Sequence, residues 1–144
     1  SFSKNTWSLI SQHQKLDEIF IRKYDRYLDW RWIVENNTLS PALLDDYKHI
    51  LNWRHICRVQ KLPEEIIRRF AEWVDWTEVS QYQTLSEAFI HEFQHAVHWK
   101  NISQYQKLSD AFILAHKRFV FWESIFRYQN LSTDFLDAII SQSI

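Results

Sequence analysis

A strict period of 23 residues runs through the chain without an insertion. Tryptophan recurs at Trp7, Trp30, Trp53, Trp76, Trp99 and Trp122, and leucine at Leu16, Leu39, Leu62, Leu85, Leu108 and Leu131. Three residues after each tryptophan stands Ile10, Ile33, Ile56, Val79, Ile102 or Ile125, and four further on Gln14, Asn37, Gln60, Gln83, Gln106 or Gln129. A unit this short cannot bury a core alone. It must stack on its neighbours, and stability then becomes a sum over repeats and the interfaces between them.

Each unit holds two helical patterns. The shorter starts at the tryptophan, behind Thr6, Asp29, Asn52 or Asp75 as caps, and spans about seven residues. The longer follows the leucine, behind Asp17, Ser40, Pro63, Ser86, Ser109 or Ser132, and spans about eleven. Apolar residues follow at helical spacing, as in Phe89, Ile90, Phe93 and Val97. Neither helix is long enough to persist alone in water. The expected fold is all-α: an α-solenoid of about six 23-residue helix-turn-helix repeats, forming one domain over residues 1–144. The periodic Trp, Ile, Leu and Phe are then core. The recurring Gln is expected to bond backbone at the junction between the helices.

Composition agrees. There is no glycine, which disfavours hairpin-rich folds and phosphate-cradling loops. Aromatic residues make up 17% of the chain, so rings dominate burial. A formal net charge of −1 exerts no global pull on nucleic acid or an anionic membrane. Cys57 is the only cysteine, which excludes an intrachain disulfide and points to a reducing, intracellular setting. The start, SFSKNTWSLIS, lacks the apolar core of a signal peptide, and no run reaches transmembrane length, so no membrane association is expected.

The clearest copies of the repeat are WTEVSQYQTLSEAFI (76–90) and WKNISQYQKLSDAFI (99–113). The pattern resembles tandem repeats, rich in W-x-x-I-S and Q-x-L-S-x-x-F-I, found in uncharacterised proteins of bacteriophages and large DNA viruses. The repeats at Trp30 and Trp53 depart from it, with Val34 and Cys57 replacing serine and Asn37 replacing glutamine. The resemblance implies a helical-repeat binding protein and transfers no catalytic residue.

One stretch suggests chemistry. HEFQH, residues 91–95, spells the zinc-protease signature. In the repeat register its polar members fall on variable outer positions: His91 aligns with Arg22, Asp45 and Arg68, and His95 with Arg26, His49 and Glu72. A hydrolase needs a cleft and a shielded water, which an outer helix face does not offer. No enzyme and no cofactor is expected, and a zinc metallohydrolase acting through HEFQH stands as a distant third reading. The remaining expectation is a surface metal held by His91, His95 and His98 at i, i+4 and i+7.

Two departures from the repeat carry the functional expectation. Near the C-terminus Leu114, Phe121, Ile140 and Ile144 are apolar where other repeats are polar, and Phe126 adds a ring. They suggest a surface for a protein partner, or for a homodimer through the last repeat. The leading expectation is thus a non-enzymatic protein-interaction module, a viral accessory protein that binds or sequesters a host protein. The alternative is nucleic-acid binding through Arg22, Lys23, Arg26, Arg31, Arg54, Arg58, Arg68 and Arg69, with Trp32 as a stacking ring. Acidic residues share that half, which weakens it.

Overall fold

A computed structural model describes all residues, 1–144, and is helical throughout. Six helices begin at or just before the periodic tryptophans: α1 (Lys4–His13), α3 (Trp30–Asn36), α5 (Trp53–Val59), α7 (Trp76–Tyr82), α9 (Trp99–Tyr105) and α11 (Trp122–Tyr128). Six alternate with them: α2 (Glu18–Lys23), α4 (Pro41–Asp46), α6 (Glu64–Arg69), α8 (Glu87–Glu92), α10 (Asp110–Ala115) and α12 (Thr133–Ser143). The chain forms two compact units, Ser1–Asp75 and Trp76–Ile144. In the first, α1 packs on α3 and α3 on α5; in the second, α7 packs on α9 and α9 on α11. Helices one repeat apart are therefore neighbours, as in an α-solenoid.

The periodic apolar residues build the core. Ile33, Ile56, Val79, Ile102 and Ile125 are fully buried, as are Ile67, Ile90 and Ile113 from the second helices. The caps also follow the sequence: Asp17, Ser40, Ser86, Ser109 and Ser132 each accept a backbone N–H three residues on. At the first helix the expected cap is displaced. Ser3 accepts from the Thr6 N–H, so α1 starts three residues earlier than a Thr6 cap would allow.

The expected eleven-residue helix is corrected. Only α12 runs uninterrupted for 11 residues; the other second helices end after six, at Tyr24, Tyr47, Phe70, Phe93 or His116. In the second unit the ladder tightens just past the cap: the Gln94 N–H donates to the His91 carbonyl and the Ala96 N–H to the Phe93 carbonyl, both at i→i−3 spacing. Beyond it the Trp99 indole donates to the Gln94 carbonyl at 2.8 Å, and the His98 N–H donates to Ser80 Oγ at 2.9 Å, so side chains satisfy the backbone groups at the end of the segment. The same arrangement occurs in the first unit: the Trp30 indole takes the Asp25 carbonyl at 3.2 Å, and the Asp29 N–H goes to Ser11 Oγ at 2.9 Å. Side chains close the segment where many proteins use a left-handed glycine, and no residue has positive φ.

Candidate functional site

Glutamine in the repeat does more than close its own helical hairpin. Gln106 Nε2 donates to the carbonyls of Ser80 and Gln83, at 2.9 and 2.7 Å, and its Oε1 accepts the Leu85 N–H at 3.0 Å. All three partners belong to the preceding repeat. Gln129 repeats the arrangement on Ser103, Gln106 and Leu108. Gln60 does so on Val34, Asn37 and Leu39. These amides staple repeat to repeat, so they belong to the scaffold.

What varies is left for function, and α11 departs most. The residue before each periodic tryptophan is normally a cap: Asp29, Asn52 and His98 accept from Arg31, His55 and Asn101 N–H groups. On α11 that residue is Phe121, which makes no side-chain cap bond and is 49% exposed. Four residues past the tryptophan stands Ser11, Val34, Cys57, Ser80 or Ser103, each buried; in α11 it is Phe126, 50% exposed. Two positions that support the fold elsewhere are here given to outward rings.

The structure separates the sequence-predicted apolar residues. Phe126 lines a groove of about 510 Å³ with Lys117, Arg118, Trp122, Ile139, Gln142 and Ser143. Phe121 lines a second, of about 370 Å³, with Lys100, Gln104, Arg127 and Tyr128; Trp122 borders both. Leu114, Ile140 and Ile144 are exposed and line neither. Trp122 and Ile139 were not singled out from sequence, because their columns are core in the other repeats.

The basic first half is largely committed internally. Arg22 bonds Glu18 at 2.9 Å and Asp46 at 2.7 Å. Hydrogen bonds from Arg22 and Ser40 hold the Glu18 carboxyl below its ordinary value, and the carboxylates of Asp46 and Glu18 raise the guanidinium of Arg22. Burial, then the bond to Asp25, raises the Tyr47 phenol. Arg69 lies 3.9 Å from Asp45, and Lys23 sits over the Tyr24 ring. Arg31 covers the face of Trp32 at 4.9 Å, so that half-buried ring is not an open stacking platform. Arg26 lines a 410 Å³ cavity with Phe2, Lys4 and Trp7, while Arg54, Arg58 and Arg68 each engage a partner within the protein.

The histidine trio is corrected. Helix α8 ends at Glu92, so His91, His95 and His98 do not share one helical face. His95 packs edge-on against Phe119, His98 caps α9 through Nδ1, and His91 turns to a different residue, His116. No three His, Cys, Asp or Glu side chains gather where they could hold a metal. His116 was passed over in the sequence because it sits in the aromatic column of Tyr24, Tyr47, Phe70 and Phe93.

No helix is long and apolar enough to cross a membrane. Compared with protein-family models, with curated proteins and with solved structures, the chain matches none.

Proposed function

We propose that the protein is a non-enzymatic interaction module whose partner surface is centred on α11. The observation that carries this reading is the pair Phe121 and Phe126. Both are half-exposed; Phe121 stands where Asp29, Asn52 and His98 cap a helix, and Phe126 stands where the other repeats bury a small residue. A local rule broken without a gain in packing marks a position kept for another purpose. Leu114, Ile140 and Ile144 are further exposed apolar residues of the same unit. On the resemblance of the repeat, the partner is a host protein met inside an infected cell, and a second copy of this chain is the self-associating version.

The test uses Phe121→Asp. Aspartate restores the missing cap and stabilises the protein by about 1 kcal/mol, while removing the ring from the surface. A partner protein retained by the wild type and by Arg31→Ala, but lost with Phe121→Asp, supports the reading. Equal retention by Phe121→Asp sinks it. Light scattering at high concentration separates the two kinds of partner: a strict monomer excludes the homodimer.

A further inference from the structure

His91 and His116, 25 positions apart, meet across the joint between neighbouring repeats. The Nδ1 of His91 lies 2.9 Å from the Nε2 of His116. His116 is only 7% exposed, and its ring is stacked on Phe112 at 4.0 Å and on Trp99 at 5.7 Å. Its Nδ1 lies 2.9 Å from the Phe112 carbonyl. A carbonyl can only accept, so Nδ1 carries the proton and Nε2 keeps its lone pair, aimed at His91. A buried imidazole fixed in this tautomer by a backbone carbonyl is the arrangement that prepares histidine to bind a metal.

We propose that this joint is a two-imidazole clamp for a borderline-soft divalent ion, Zn²⁺ or Cu²⁺, with His116 Nε2 and His91 Nδ1 as its protein ligands. Imidazole selects such ions over Mg²⁺ or Ca²⁺. When the ion enters, the His91 proton moves from Nδ1 to the outer Nε2 through solvent. Both rings stay neutral, and two metal–nitrogen bonds replace one hydrogen bond. With bonds of about 2.0–2.1 Å at a tetrahedral centre, the nitrogens separate to roughly 3.3 Å. That is a small swing for the exposed ring of His91. No third His, Cys, Asp or Glu of the chain joins the pair, so water fills the remaining positions and the ion exchanges freely. The corresponding joint of the first unit already accepts a cation, with the Arg22 guanidinium 5.9 Å from the Tyr47 ring centre.

The experiment titrates ZnCl₂ into the untagged 144-residue chain by calorimetry, and follows the imidazole nitrogens by NMR. The expected result is one ion per chain, with His91 Nδ1 and His116 Nε2 shifting together. Affinity should fall roughly tenfold or more in His91→Ala and in His116→Phe, and stay unchanged in His95→Ala and His98→Ala. His116→Phe keeps the ring that Phe70 and Phe93 supply in that column, and if it fails to fold, exposed His91→Ala decides alone. Absence of binding by the wild type, or equal weakening by His95→Ala, overturns the proposal.

Discussion

The two compact units carry one repeat and one set of joining side chains, from which the first departs at three positions. In the second, Ser80 and Ser103 accept the N–H groups of His98 and Phe121, and Gln106 and Gln129 each grip three backbone groups of the preceding repeat. In the first, Ser11 and Gln60 keep these roles, but Val34 and Cys57 stand where two further serines would be, and Asn37 replaces a glutamine. Its shorter side chain still reaches the Leu16 N–H at 2.9 Å, but its NH₂ turns back to Ile33 of its own helix. The neighbouring Asn36 recovers one of the two missing contacts, donating to the Ser11 carbonyl, and adds one to the Gln12 carbonyl. The requirement therefore belongs to the backbone. Each repeat presents backbone groups at the joint, and a neighbouring side chain can take over part of that role.

The largest effects should not distinguish the units, because the apolar core is the same in both. Ile33→Ala and Ile113→Ala each remove a fully buried side chain and should cost about 2–5 kcal/mol in denaturant unfolding. A much smaller loss at either would mean that burial is unevenly shared. Gln106→Ala comes next, at about 3 kcal/mol, since one donor and two acceptors lose their partner in a buried place. Asn37→Ala should cost only about 1 kcal/mol, because Asn36 keeps its two bonds. Equal losses would break the comparison.

Ser103→Val imposes on the second unit what Val34 is in the first. It strands the Phe121 N–H and should cost about 1–2 kcal/mol. The smallest effect is expected on the surface. The carboxyl of Glu18 is held below its ordinary value by Arg22, so its contribution is complete above the unfolded-state value and disappears as pH falls through the folded one. Glu18→Gln should therefore be slightly less stable than the wild type at neutral pH and indistinguishable from it in acid. A difference that grows in acid would reverse that sign.

The columns of Trp, Ile, Leu and Ser were legible in the sequence because burial and capping impose fixed residue types at fixed spacing. Direction was not legible. Spacing puts Gln106 at a junction, but does not say that its amide reaches back one repeat. The end of α8 was hidden for a related reason. No glycine or proline marks it, and the groups that satisfy the backbone beyond it, the Trp99 indole and Ser80 Oγ, approach from flanking segments. For the surface, the repeat register exposed Phe121 as a departure. His116 escaped notice because it meets the packing need of its column, and only the fold brings His91 to it.

The central claim is that side chains reaching back from one repeat hold the backbone of the one before it. Amide hydrogen exchange tests this most directly, at Leu85 and Leu108 in the Gln106→Ala variant. Leu85 loses its acceptor, whereas Leu108 keeps Gln129. Exchange at Leu85 should accelerate by roughly tenfold or more over that at Leu108, as expected for about 1.4 kcal/mol or more of lost local protection. Equal acceleration at the two amides would contradict the staple and leave glutamine as ordinary packing.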